Sequence, residues 1–393
     1  MLKSRLCGHE VSRLGFGAMR LPTLSDGSID IAQTAEMTDI AIKNGVNYFD
    51  TAFPYHAGKS ETVMGDILKS YPRDSFYLAT KYPGHQISKS YDPAAIFEEQ
   101  LGKCSVDHFD FYLLHNVCEN SFDVYNDPKW GIIDYFVRQR EEGRIRHLGF
   151  STHARPETLE KFLSLYGDKL EFCQIQLNYL DWTLQNAKAK YELLDSLGIP
   201  VVVMEPVHGG KLAHLGGGKD ERLSAARPDE SSAAWAFRWL QALPNVKVVL
   251  SGMSSLAQMK ENVSVFESEK PLSEDESTLL LSIAEELKNA VPCTACRYCC
   301  DGCPAGLDIP VLIGALNDLR FEKSFTVSMQ LDAMPADKLP TACIGCGACE
   351  SICPQNIEIP KLMRELADML PTLPSWAEIC KKRDEEAQAN RKA

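Results

Sequence analysis

"NYFDTAFPY", Asn47 to Tyr55, is the stretch on which the fold turns. A short aromatic run ends on Asp50, and a helical segment opens just beyond it at "GKSE", Gly58 to Glu61. A strand that ends on polar side chains and hands over to a helix is half of a βαβ unit.

Reading outward, the unit recurs. "LGFGAMRL" precedes it, and "FYLATKY", "FDFYLLH", "HLGFST", "FCQIQLN", "PVVVMEP" and "VKVVLSGM" follow, separated by helical segments such as "AQTAEMTDIAIKNG" and "SSAAWAFRWLQAL". Eight strands at a spacing of about 30 residues suffice to close a (β/α)8 barrel of the TIM type, an α/β fold whose chemistry sits just after its strands. An open doubly wound sheet is the alternative, but no GxGxxG follows the first strand. "SEDESTLLLSIAEELKNA" reads as a helix with Ser273 as its N-cap and Glu276 closing a capping box. The expected organisation is a barrel over 1–270, a linker helix over 271–291, a cysteine-rich module over 292–372 and a charged tail over 373–393.

Composition narrows the function. The 393 residues are 45% hydrophobic and 24% charged, ordinary for a chain that buries a core. No apolar run approaches the roughly 20 residues that span a bilayer, and the start lacks the apolar core of a signal peptide, so a cytoplasmic protein is expected. A net charge of −13 argues against nucleic acid as the main partner. In reducing cytosol fourteen cysteines point to metal rather than disulfides.

Polar groups at the strand ends converge on one mouth: Asp50 and Tyr55 after the second strand, Lys81 in "ATKYP" after the third, and His115 in "YLLHN" after the fourth. Such a set makes an acid for carbonyl chemistry. A buried Lys ammonium is expected to lower a phenol pKa of about 10, with Asp50 keeping the lysine charged and His115 pointing a carbonyl oxygen at Tyr55. His56, His208 and His214 read as ordinary loop histidines. A helix begins in "SGMSSLAQMKEN" after the last strand with Ser254 or Ser255 at its cap, and its N-terminus suits a phosphate. Gly209 and Gly210 in "HGGKLAHLGGGKD" would let backbone approach a pyrophosphate closely, or belong to a surface loop. Trp130, Tyr125 and Phe122 are candidate pocket walls.

Two cysteine motifs follow the barrel. Cys293, Cys296, Cys299 and Cys303 precede Pro304, and Cys343, Cys346, Cys349 and Cys353 precede Pro354 with identical spacing. C-x2-C-x2-C-x3-C-P is the bacterial two-cluster ferredoxin pattern, in which the fourth cysteine of each run ligates the other cluster. Zinc prefers separated CxxC pairs or Cys/His mixtures. The expected sets are therefore Cys293, Cys296, Cys299 and Cys353 for one [4Fe-4S] cluster, and Cys343, Cys346, Cys349 and Cys303 for the other. "IPVLIGALNDLRFEK", "SMQLDAMP" and "IPKLMRELADML" make the module helical, and Cys300 is surplus.

Over residues 5 to 268 the chain resembles the aldo-keto reductases, on "DTAFPY", "GKSE", Lys81 and His115 in order. With the cysteines it resembles the subgroup carrying a C-terminal 4Fe-4S dicluster domain. The resemblance implies a tetrad of Asp50, Tyr55, Lys81 and His115 serving hydride transfer between NAD(P)H and a small carbonyl compound, with Tyr55 as proton donor. It also implies a nicotinamide site at Ser151, Thr152, Gln174 and Met204, and a nucleotide site at Ser254, Gln258 and Asn262. Thr152 stands where many members have Asn, Met204 where many have Tyr, and Gln258 where an Arg often grips the adenosine 2′-phosphate, which leaves NADP(H) and NAD(H) both open. Nicotinamide moves electron pairs and clusters move single electrons, so a flavin is the usual converter, although no flavin fingerprint is visible. Three readings stand: clusters wiring the barrel to a ferredoxin or flavodoxin partner, an ordinary carbonyl reductase with structural clusters, and a redox sensor without turnover.

Overall fold

The computed structural model describes residues 1–374 and 378, apart from 87, 89, 120, 185, 288–290, 322–326, 328–330 and 332–333. It divides into two compact units, Met1–His214 with Glu221–Ser282, and Leu215–Asp220 with Ile283–Ala393. The helix Glu274–Leu287, read from sequence as a linker, is shared between them.

The first unit opens with a hairpin of β1 (Lys3–Leu6) and β2 (His9–Ser12), which the sequence reading did not anticipate. The eight expected strands follow as β3 (Leu14–Gly17), β4 (Tyr48–Asp50), β5 (Tyr77–Tyr82), β6 (Phe109–Leu114), β7 (Ile145–Thr152), β8 (Cys173–Gln176), β9 (Val201–Met204) and β10 (Val246–Ser251). They pair in parallel in chain order, and β10 returns to β3, closing a barrel. Strands buried on both faces are mainly apolar, and β6 is buried at all six positions, its one charge, Asp110, being paired with Arg73 and Arg146. The hairpin packs Leu6 and Val11, both fully buried, against Tyr48, Phe111, Phe172 and Val248 as a plug. Each such side chain contributes about 1.5–3 kcal/mol by leaving water.

Helix boundaries follow local chemistry. Asp30 caps Ile31–Lys43 by accepting from Gln33 N at 2.9 Å, and Asp92 caps Pro93–Cys104 through Ala95 N at 2.9 Å. The expected capping box forms, with Ser273 N donating to Glu276 Oε2 at 2.7 Å and Glu276 N to Ser273 Oγ at 3.2 Å. In "GKSE", Ser60 Oγ meets Thr51 Oγ1 at 2.9 Å and the Ala18 carbonyl at 3.0 Å, while Glu61 accepts from Thr80 and Gln100 at 2.6 Å each. That segment pins its helix to the strand ends.

The second unit is helical. Ile309–Phe321 and Ile359–Met369 pack over the short turns Tyr298–Asp301 and Ala348–Ser351. In Ile359–Met369 the buried residues are Ile359, Leu362, Met363 and Leu366, one helical stripe. Most of "SMQLDAMP" and the tail "CKKRDEEAQANRKA" lie outside the described residues. No described helix is long and apolar enough to cross a membrane.

Candidate active site and cluster-binding cysteines

The structure brings Asp50, Tyr55, Lys81 and His115 together at the C-terminal ends of β4, β5 and β6. Lys81 is fully buried and its Nζ donates to Asp50 Oδ1 at 2.5 Å, to the Thr51 carbonyl at 2.8 Å and to the Tyr55 hydroxyl at 3.3 Å. The Tyr55 ring stands edge-on to His115, with centroids 5.9 Å apart.

The electrostatics correct one expectation. Burial pushes the Tyr55 phenol well above its ordinary range, and the charges of Asp50 and Glu205 push the same way. Burial raises Asp50 and lowers Lys81, each opposed mainly by the other's charge. For the phenol, burial is the largest cause and outweighs the nearby ammonium, whose charge is shared with the carboxylate in contact with it. The phenol keeps its proton.

His115 is held neutral. Burial is the largest cause, and the charges of His85, Lys81 and His153 lower it further. Its carbonyl accepts from the Tyr125 hydroxyl at 2.7 Å, which also reaches the Tyr82 carbonyl at 3.2 Å. Tyr125 thus braces the site from behind rather than walling it. Gly84 makes room, since a Cβ there would sit 2.7 Å from the Tyr125 ring. Phe122 is buried edge-on against Phe162, and Trp130 packs edge-on to Tyr91. Among the described residues, His115 Nδ1 and Asp50 Oδ2 are buried without a hydrogen-bond partner.

The residues expected at the nicotinamide lie on neighbouring strands, with Ser151 and Gln174 paired in register. Ser151 Oγ accepts from Asn116 N at 2.8 Å and keeps its own proton to give. Gln174 Nε2 points at Met204 Sδ at 3.5 Å, leaving Gln174 Oε1 a buried acceptor without a partner among the described residues. A carboxamide presents one acceptor and two donor hydrogens, and these two residues match it. Thr152 does not: its hydroxyl donates to the Val117 carbonyl at 2.6 Å and accepts from Ala154 N at 2.9 Å.

The expected phosphate site is partly committed internally. Ser255 caps Leu256–Val265, its Oγ accepting from Gln258 N at 3.3 Å, and Gln258 Oε1 accepts from Ser254 N at 2.7 Å. Ser254 Oγ donates to the Arg20 carbonyl at 2.8 Å, and Asn262 Nδ2 to Ser251 Oγ at 2.9 Å. Gly209 and Gly210 adopt φ of 67° and 96°, backbone that glycine reaches at little cost.

A second polar cluster at the mouth was missed from sequence. His208 is buried, and its Nδ1 lies 2.9 Å from Asp181 Oδ2, which also accepts from Gln176 Nε2 at 2.8 Å and Asn178 Nδ2 at 2.6 Å. Burial, the largest single cause, lowers His208, but the Asp181 charge, the hydrogen bond to Asp181 and the Glu205 charge together outweigh it and the net direction is up. His208 is therefore not an ordinary loop histidine. His56 also has a defined role, its Nε2 accepting from Leu21 N at 3.1 Å. Glu205 has φ of 57°, and burial raises its carboxyl. The only sequence signal was the clustering of Asn178 and Asp181 three residues apart just after a strand.

In the helical unit the two cysteine motifs fold alike. The second and fourth residues after the first cysteine are left-handed in both: Ala295 at 54° and Arg297 at 68°, Gly345 at 69° and Gly347 at 76°. Left-handed residues in such loops turn neighbouring amides inward, a concavity suited to an anionic group. Cys293, Cys299, Cys349 and Cys353 are buried with Leu307, Ile309 and Met363, and Cys300 and Cys303 pack beside them. A recess is lined by Cys343, Cys346 and Cys349 of the second motif together with Cys303 of the first. The described cysteines form no disulfides. Four thiols on one recess, drawn from both motifs, fit a cubane cluster in the crossed arrangement.

The family model for the aldo/keto reductase family matches residues 13–285, and that for a 4Fe-4S dicluster domain matches residues 292–358. Among curated relatives, the uncharacterized oxidoreductase YqkF of Bacillus subtilis (strain 168) is 26% identical over 308 residues, 70% of this chain and 92% of that one. The NADH-specific methylglyoxal reductase of Escherichia coli (strain K12) is 24% identical over 71% of this chain and 96% of its own. An aldo-keto reductase from Bacillus halodurans, solved in its holo form, superposes with a TM-score of 0.59 at 28% identity, covering 72% of this chain and 96% of that one. With the family match spanning most of its length and the closed barrel behind it, the chain belongs to the aldo/keto reductase family and carries a 4Fe-4S dicluster domain C-terminal to its barrel.

Proposed function

We propose that this oxidoreductase exchanges a hydride between NADP(H) or NAD(H) and the carbonyl or alcohol carbon of a small molecule, with two [4Fe-4S] clusters relaying electrons to or from the barrel. The observation that carries the reading is the buried Lys81 ammonium within hydrogen-bond reach of both Asp50 and Tyr55. When bound, the nicotinamide supplies hydride and the clusters supply single-electron transfer.

The chain's own residues do the rest. Tyr55, kept protonated by burial, gives its proton to the substrate oxygen as negative charge develops there, and takes one back in the oxidative direction. The Lys81 ammonium, 3.3 Å away, stabilises the phenolate left behind, and Asp50 keeps that ammonium charged. Neutral His115 orients the substrate oxygen towards Tyr55. Ser151 and Gln174 would hold the carboxamide, Met204 would pack on the ring, and the capped helix after β10 with Ser254 would meet the nucleotide.

Cys293, Cys296, Cys299 and Cys353 would hold one cluster, and Cys343, Cys346, Cys349 and Cys303 the other. Cys346 is exposed and the adjoining Ile344 is 71% exposed, which gives a ferredoxin- or flavodoxin-type partner access to the second cluster. A second reading makes the clusters structural, favoured by the burial of Cys293, Cys299, Cys349 and Cys353 in the helical core. An anaerobic titration of the iron-replete protein with NADPH, then NADH, followed by visible absorbance and EPR, separates the two. Direct cluster reduction supports the relay. Reduction only after added flavin assigns a flavin as the missing converter. Clusters that accept electrons from dithionite but never from nicotinamide, with or without flavin, support the structural reading.

A further inference from the structure

We propose that Cys7, His147 and Glu171 form a binding site for a zinc-like divalent cation at the N-terminal ends of the barrel strands, opposite the mouth that holds Tyr55. One donor atom from each of the three lies within 4.8 Å of the other two. They come from three separate elements: Cys7 from the tight turn joining β1 and β2, His147 from the start of β7, and Glu171 from the segment entering β8. Thiolate, imidazole and carboxylate together are zinc chemistry rather than calcium or magnesium chemistry.

The donors are aimed by their neighbours. Glu171 Oε1 is occupied, accepting from Arg140 Nη1 and Leu148 N at 3.2 Å each, which directs Oε2 towards His147 Nδ1 at 2.6 Å. Cys7 Sγ hangs over the same residue, 3.8 Å from the Glu171 carbonyl oxygen. The His147 ring is fixed between a stacked Phe111, with centroids 5.3 Å apart, and an edge-on His9 at 5.0 Å. Such outer contacts orient a ligand set. All three side chains are half-buried, so a cation can reach them while little water competes. Cys7 also has φ of 48°, followed by Gly8 at 85°. Two-residue hairpin turns of that kind normally take Asn, Asp or Gly first, so a cysteine there calls for a reason beyond turn propensity.

Donor atoms around tetrahedral zinc stand about 3.3–3.7 Å apart, given bond lengths of about 2.0–2.3 Å. Side-chain shifts of about 1 Å bring the three into that range. Binding releases the Cys7 thiol proton to solvent, and the His147 proton that bridges Nδ1 to Glu171 leaves to solvent while Nε2 takes one up, so that Nδ1 can ligate as a neutral imidazole, with water as fourth ligand. The bound cation would fasten the hairpin plug to β7 and β8.

The holoprotein, its clusters intact, is dialysed against a chelator and then against buffered Zn²⁺, and zinc and iron per chain are measured together. Wild type is expected to gain one zinc that Cys7→Ser and Glu171→Gln both lack, with iron content unchanged in all three. Because cluster cysteines also take zinc, anomalous diffraction at the zinc edge supplies an independent readout, with a peak expected between Cys7, His147 and Glu171. Equal zinc in wild type and both variants, or anomalous peaks confined to the cluster cysteines, overturns the site. Should a variant fold poorly, the wild-type anomalous map decides alone.

Discussion

Lys81 Nζ lies 3.3 Å from the Tyr55 hydroxyl and 4.8 Å from the centre of the same ring. One buried ammonium therefore faces both the oxygen that would lose a proton and the π-face that would share the resulting charge. The contact costs little before proton transfer and strengthens as the phenolate forms, which is where catalysis gains.

Removing that oxygen tests the acid. Tyr55→Phe keeps the ring against Lys81 and His115 but deletes the proton. Turnover with nicotinamide is expected to fall by about 10²–10⁴-fold, while nucleotide binding and iron content stay at wild-type levels. Wild-type turnover in this variant would falsify the assignment.

Removing the ammonium tests the ion pair. Lys81→Met leaves the Asp50 carboxylate buried and uncompensated, and urea unfolding is expected to show a loss of about 3–5 kcal/mol. The double variant Asp50→Asn/Lys81→Met should recover most of that stability and none of the activity. A single variant as stable as wild type would mean that the pair is not buried as described.

Acid sensitivity follows from the buried imidazoles. His85 is lowered to about 4 and His153 to about 3, chiefly by burial. Between the unfolded value of about 6.5 and those folded values, the unfolded chain takes up protons that the folded chain refuses. Stability is thus fully present above about pH 6.5 and falls with pH at about 1.4 kcal/mol per unit for each histidine. His208 runs oppositely: raised by Asp181, its contribution is present below about pH 6.5 and fades as pH rises through its folded value. Urea midpoints measured from pH 8 to 4 should fall in wild type, and His85→Asn/His153→Asn should flatten the slope. An unchanged slope would show that neither imidazole is excluded from protonation.

The crossed cysteine sets make a non-additive prediction. Cys303→Ala, although it lies in the first motif, should damage the same cluster as Cys343→Ala, and the double variant should look no worse by EPR of the reduced protein. Additive loss from both clusters would refute the shared recess.

Cofactor choice is tested at the helix following β10. Gln258 now closes its own cap on Ser254 N. Gln258→Arg adds a cation for a 2′-phosphate, a charge-assisted contact of about 1.5–3 kcal/mol, so the NADPH to NADH ratio of kcat/KM should rise roughly tenfold or more. A ratio that does not move would place the adenosine end elsewhere.

Much of this architecture was legible because most barrel strands are short, mainly apolar runs, several of which hand over to polar residues at their C-terminal ends. β6 followed by His115 is the clearest case. The β1–β2 hairpin was not legible: it is short and charged, and its two core residues, Leu6 and Val11, fall on either side of a turn carrying cysteine where the usual signal is asparagine. Asp181 and His208 stayed hidden for another reason. They lie far apart in sequence, and only the parallel neighbours β8 and β9 bring their loops together. The rise in the Tyr55 phenol was misjudged because a sequence shows the lysine and its carboxylate but not the burial that outweighs them.

The recess shared by Cys303 with Cys343, Cys346 and Cys349 also takes its wall from Ile359, Pro360 and Met363. On the ribosome, the first motif therefore emerges without the partners its last cysteine needs. A cluster proposed in this recess can be completed only after Met363 has been synthesised, well after the last barrel strand, β10, has left the ribosome. Chains cut short in the module should leave the cell's iron–sulfur assembly machinery with a finished barrel and an uncloseable cradle.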